Sequence, residues 1–135
     1  MPLLTISTSV EIDEKNLFLR DCSLLVSKIT NKPEQYVMIR LFDKTPMYFN
    51  RDQSPSCFID LKSIGSLNPS EMSKEISTFI SNQIGIPINR VYICFEDIDA
   101  SNWSLNGKTF GWITNSKFYK SNENKWFNRS KQLTI

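Results

Sequence analysis

Tyr36-Val37-Met38-Ile39-Arg40-Leu41-Phe42 decides the fold, because a second apolar run, Val91-Tyr92-Ile93-Cys94-Phe95, answers it further along the chain. Both runs are rich in β-branched and aromatic residues and apolar at nearly every position, the pattern of a strand buried on two faces. The correspondence is a repeat at an offset of 54 residues: Pro33, Val37, Ile39 and Asp43 recur as Pro87, Val91, Ile93 and Asp97, and Leu41 maps onto Phe95. Upstream, Phe18, Cys22, Leu25 and Val26 map onto Met72, Ile76, Phe79 and Ile80. Each of these sets has the spacing i, i+4, i+7, i+8, which places its members on one face of a helix. Asn31 coincides with Gly85, and each is followed two residues on by a proline. Asn and Gly favour the left-handed position just past a helix, and the proline blocks continuation.

Each half therefore reads strand, helix, strand: 3–8, 14–30 and 36–43 in the first, and 57–62, 69–84 and 90–96 in the second. Asn68, Pro69 and Glu71 predict an N-cap, an N1 proline and an acidic third position for the second helix. Strands joined through a helix run parallel with a right-handed crossover. Two such pseudo-symmetric β-α-β units side by side make an α+β fold, a four-stranded sheet with both helices on one face. The other face then needs cover, and the apolar strands imply that it comes from other subunits. The alternative is that the C-terminal segment folds back over its own sheet.

With 40% hydrophobic and 22% charged residues, 135 residues make one ordinary globular domain. No apolar run reaches the ~18 residues of a membrane span. Thr5, Ser7, Thr8, Ser9 and Glu11 interrupt the first stretch, so no secretory signal is read there. The expectation is a cytoplasmic protein with no membrane partner, with secretion by a non-classical route left open. There is no histidine, and Cys22, Cys57 and Cys94 are widely spaced, so neither a zinc cluster, another metal or cofactor, nor a disulfide framework is expected. Cys22 lies on the apolar helix face, where a thiol is ordinarily inert.

In a chain without histidine, the α-amino group is the one candidate base for neutral pH. Removal of Met1 would make that group the secondary amine of Pro2, tied to the strand that begins at Leu3. Burial or a nearby cation would lower its pKa towards the working range of a general base. Taken alone, a Met-Pro start is ordinary.

Five runs in order carry a resemblance: Met1-Pro2-Leu3-Leu4, Asn31-Lys32-Pro33-Glu34-Gln35-Tyr36-Val37, Ser63-Ile64-Gly65, Asn89-Arg90-Val91-Tyr92-Ile93 and Asn106-Gly107-Lys108-Thr109-Phe110. The chain resembles the macrophage migration inhibitory factor and D-dopachrome tautomerase family, within the tautomerase superfamily, over residues 1–111. The resemblance implies a homotrimer whose sheets wrap into a central barrel, with small strands near 46–49 and 106–110 joining neighbours and pockets between subunits. It also implies keto–enol tautomerisation of α-keto acids such as phenylpyruvate, and of dopachrome-like aromatic enols. Pro2 would be the catalytic base and Lys32 the cation that lowers its pKa and holds the substrate carboxylate. The backbone N–H of Ile64 would bind a carboxylate or enolate oxygen, and Tyr36, Tyr92, Trp103 and Phe110 would form an aromatic wall. Read without the resemblance, Lys32 is simply a cation at a helix C-terminus, and the tyrosines are packing residues.

Several positions depart from the family. Cys94 stands where many relatives carry a substrate-binding asparagine, and a thiol is a weaker donor. Leu105 replaces a tryptophan, with Trp103 two positions earlier, so a rearranged pocket rim is expected. Cys57 lacks the second cysteine of a CxxC, so a thiol oxidoreductase activity does not carry over, and any cytokine receptor stays unidentified. Residues 112–135 form a C-terminal extension of net charge +4 with Trp112, Phe118, Tyr119, Trp126 and Phe127, against −2 for residues 1–111. Basic residues among aromatics can bind single-stranded nucleic acid, but packing on the protein's own trimer is the expectation. The competing reading is a non-catalytic cytokine-like or scaffold protein that keeps the trimeric fold.

Overall fold

The computed structural model describes residues 1–111. Its elements are β1 (Leu3–Thr8), α1 (Lys15–Thr30), β2 (Met38–Phe42), β3 (Cys57–Ser63), α2 (Pro69–Ile84), β4 (Val91–Asp97) and the short strands β5 (Ser104–Leu105) and β6 (Lys108–Thr109). The order across the four-stranded sheet is β2-β1-β3-β4. Within each half the strands are parallel, β1 with β2 and β3 with β4, and the halves join through antiparallel β1–β3. This is the expected α+β duplication.

β2 starts two residues later than its apolar run suggests, whereas β4 begins with its run at Val91. After each proline the chain makes a short 3-10 turn, Glu34–Tyr36 and Ile88–Arg90, before β2 and β4 begin. The turns close with Tyr36 N–H donating to Pro33 C=O at 3.0 Å and Arg90 N–H to Pro87 C=O at 2.9 Å. Tyr36 is thereby taken out of the sheet, which matters for the site. Asn31 and Gly85 end the helices in the left-handed conformation, at φ 55° and 74°. The Asn68 cap is different from expectation: its side chain makes no capping bond, and α2 begins with Met72 N–H donating to Asn68 C=O at 2.9 Å.

The core lies between sheet and helices. Leu4, Ile6, Ile59 and Leu61 meet Phe18, Cys22 and Val26 of α1 and Met72, Ile76 and Ile80 of α2, all buried. Leu25 and Phe79 sit at the edge of this cluster. Each such side chain contributes roughly 1.5–3 kcal/mol on burial. Burial pushes the Cys22 thiol up to about 12, with Asp21 and Cys57 adding to it, so it is inert as expected.

The other face is open within one chain. Met38, Phe42, Phe58 and Tyr92 expose 59%, 49%, 41% and 62% of their surface, so the strands are not buried on both faces here. Polar residues alternate with them, including Arg40, Asp60, Lys62 and Glu96. The expected strand near 46–49 is only an isolated bridge between Phe49 and Asp52, held by Arg90. The Arg90 guanidinium donates to the carbonyls of Phe49, Ser54 and Pro55 and to Ser56 Oγ, at 2.8–3.1 Å. The strand expected near 106–110 is half of a hairpin, β5 with β6, turning at Asn106 and Gly107 with positive φ.

At Gly85 a Cβ would meet nothing within 4 Å, so substitution there tests backbone strain alone. Gly85→Ala is expected to lower stability by about 1–2 kcal/mol, the penalty of a left-handed L-residue. Asn31→Gly should cost nothing measurable, and urea titration of both variants checks this.

Candidate active site

The site begins with the chain terminus. Pro2 immediately precedes the central strand β1, and Met38 N–H donates to its carbonyl at 3.0 Å. Met1 and Pro2 are both buried, so the terminus is drawn into the protein. Burial lowers the pKa of the Met1 amine from 8.0 to about 5, and the positive charge of Lys32 adds to the effect. An amine in this place is neutral at physiological pH.

Lys32 comes from the end of α1, where Asn31 turns the chain. Its backbone is held on both sides: the N–H donates to Thr30 Oγ1 at 3.3 Å, and the C=O accepts from Ser27 Oγ at 2.6 Å. The ammonium crosses to the β3–α2 loop and donates to Ile64 C=O at 3.0 Å. Only 8% of the residue is exposed. Burial lowers its pKa, and the carboxylate of Asp97 works against that shift. The ends of β3 and β4 are laced beside it, Gly65 N–H to Asp97 Oδ1 at 2.9 Å and Ile98 N–H to Ser63 C=O at 2.8 Å.

A cavity of about 500 Å³ opens against this terminus. It holds Pro2, Tyr36, Trp103 and Phe110 together, four of the residues singled out in the sequence. Tyr36 arrives through the 3-10 turn, and Trp103 and Phe110 through the hairpin, where Phe110 N–H donates to Trp103 C=O at 2.9 Å. Such an apolar, aromatic-walled space beside a neutral amine suits a flat organic acid.

Four expected residues do not line this cavity: Lys32, whose ammonium is turned to the Ile64 carbonyl, and Ile64, Tyr92 and Cys94. Ile64 lines a neighbouring hollow with Gly65 and Asp97, and the atom it presents to Lys32 is its carbonyl oxygen rather than its N–H. Tyr92 pairs with Phe58, which pairs with Ser7, about 13 Å along β1 from Leu3 at ~3.3 Å per residue. Its ring instead meets Phe49 edge-on at 4.9 Å. Cys94 pairs with Asp60 two strands across from β2 and is exposed on β4, an edge strand. Neither lines this chain's cavity.

The cavity also contains residues that the sequence reading missed. Lys62 and Met38 line it, together with Ile98 and Asn102, while Leu105, expected at the pocket rim, lines it as well. The alternation Phe58, Asp60, Lys62 along β3 put Lys62 on the open face, but only the register Leu3↔Lys62↔Glu96 places it at the terminus. The ammonium of Lys62 is partly exposed, with Asp60 and Glu96 carboxylates at 4.0 and 3.9 Å.

A family model described as macrophage migration inhibitory factor matches residues 1–111. A macrophage migration inhibitory factor homolog of Brugia malayi is 36% identical, over 82% of this chain and 100% of that protein. The macrophage migration inhibitory factor of Xenopus tropicalis is 34% identical, over 82% and 99%. Among solved structures, a homologue from Prochlorococcus marinus superposes with a TM-score of 0.77 at 38% identity, covering 81% of this chain and 99% of that one.

Because burial is the larger cause of the depressed amine pKa and Lys32 the smaller, Lys32→Gln is expected to raise that pKa only part of the way to 8.0. Titration by ¹⁵N NMR of the terminal nitrogen checks this. A return to 8.0 would show that the lysine, not burial, controls the amine.

Proposed function

The chain belongs to the macrophage migration inhibitory factor family, and on that premise we propose that it is a keto–enol tautomerase with its N-terminal proline as general base. The substrates are α-keto acids of the phenylpyruvate type and dopachrome-like aromatic enols. The observation that carries this reading is a chain terminus buried at the cavity where an amine is held neutral. With Met1 removed, the nitrogen of Pro2 takes the proton from the carbon next to the substrate carbonyl. The C–H electron pair becomes the enol double bond, and the carbonyl oxygen takes up negative charge and then a proton. The return path puts the proton back on carbon. The cation of Lys32 balances the substrate carboxylate and favours the neutral base. Tyr36, Trp103 and Phe110 pack the ring.

Three copies complete the site in this reading. The open sheet face, with Phe42, Phe58 and Tyr92 exposed, supports closure around other subunits. Tyr92 and Cys94 then serve the pocket of a neighbour, which accounts for their distance from the cavity of their own chain. The Ile64 N–H keeps its proposed role as donor to the substrate. Residues 1–111 form the catalytic domain and 112–135 an extension, which lies outside the described residues.

A second reading has its own support. Met1 is only 4% exposed, packed at the cavity. Retained there, it makes the Pro2 nitrogen an amide with no basic lone pair. The protein would then be a non-catalytic, cytokine-like or scaffold trimer. Intact mass of protein from its native source separates the two, since loss of Met1 supports catalysis.

For the processed protein, decay of enol-phenylpyruvate absorbance should be accelerated, and Pro2→Gly should lose most of the rate. An alanine inserted between Met1 and Pro2 should cost about 100-fold, the usual worth of a positioned base. A base works in its neutral form, and burial and the Lys32 charge lower the pKa of an amine at this terminus, so kcat/KM should persist to a pH below 8.0 and then fall as the Pro2 amine takes up its proton. Equal rates in all three proteins would refute the mechanism. Sedimentation analysis of the same samples should give three times the mass of one chain.

A further inference from the structure

Ser63 closes β3, and its Oγ is fully buried without a hydrogen-bond partner among the described residues. A buried hydroxyl left unpaired costs about 1–3 kcal/mol, so native chains seldom keep one without a reason. The register shows what lies beside it. β1 and β3 are antiparallel with Leu3 opposite Lys62, so one step further sets Pro2 opposite Ser63. Directly opposed residues point to the same face. Leu4 and Leu61 on that face are buried against the helices, as are Pro2 and Ser63.

While Met1 is attached, the Pro2 nitrogen is a tertiary amide and has neither a hydrogen to donate nor a basic lone pair. Removal of Met1 gives that nitrogen one N–H and one lone pair. We propose that Ser63 Oγ is the acceptor for the N–H of the processed Pro2 amine, so that the lone pair is turned away from the helices and into the cavity. The hydroxyl that is orphaned in the unprocessed chain becomes satisfied by processing. Ser63 is thus a positioning residue, acting on substrate only through Pro2. Its catalytic consequence rests on the tautomerase reading, but the contact itself does not.

The test is a thermal-melt cycle on the full chain, with and without Met1, each with Ser63 and with Ser63→Ala, and with each terminus confirmed by intact mass. In the unprocessed protein, Ser63→Ala should leave Tm unchanged or raise it, because an unpaired hydroxyl is removed. In the processed protein the same substitution should lower Tm by about 3 °C, the shift expected from one lost hydrogen bond in a domain of this size. The same shift in both forms would overturn the proposal. Kinetics on the processed pair add a second readout: kcat about tenfold lower for Ser63→Ala with KM within twofold, and recovery by Ser63→Thr. A KM effect alone would place Ser63 on the substrate rather than on the amine and would likewise overturn it. Coupling in the melts with no activity in any protein would refute the tautomerase reading and leave the contact standing.

Discussion

Antiparallel pairing of β1 with β3 is the contact on which the rest of the molecule depends. Each β-α-β half has only one helix and two parallel strands, too little to enclose a core alone. The pairing merges them, places both helices over Leu4, Ile6, Ile59 and Leu61, and makes the first strand of the chain a central one. A terminus that leads into a central strand has no route to solvent except across the strand ends. That is why Met1 and Pro2 are buried, and why the ends of β3 and β4, the loop at Ile64 and the ammonium of Lys32 gather around them.

Burying an amine there has a cost that depends on pH. The unfolded chain binds a proton on its terminal nitrogen below about 8.0, whereas the folded chain binds one only below about 5. Between those values the unfolded state holds more protons, so stability from this group rises with pH across that window. The fold tolerates an unfavourable term in exchange for a nitrogen that is neutral when the solution is not alkaline. Lys32 shares the same economy of burial: its own charge is disfavoured, but Asp97 and the Ile64 carbonyl sustain it.

The open sheet face and the cavity belong to one problem. Phe42, Phe58 and Tyr92 lie uncovered on the face away from the helices, while neither Tyr92 nor Cys94 lines the cavity at Pro2 in the same chain. A ring of copies answers both facts at once.

Much of the fold was legible in the residues themselves. The repeat of Pro33 to Asp43 at Pro87 to Asp97, the apolar helix faces and the turns at Asn31 and Gly85 are local patterns, and local backbone preference with side-chain periodicity carries them directly. Pro2 could be singled out by residue type, Lys32 and the aromatics only through the family resemblance, and four of these residues do share a cavity. The tertiary structure alone decided the start of β2 after Tyr36, the reach of the Lys32 ammonium to a carbonyl, the entry of Lys62 and the exclusion of Tyr92 and Cys94 from their own chain's cavity. Those depend on strand order and register between segments far apart in the chain, and no short-range pattern encodes the distance between residues that meet only when the two halves pair.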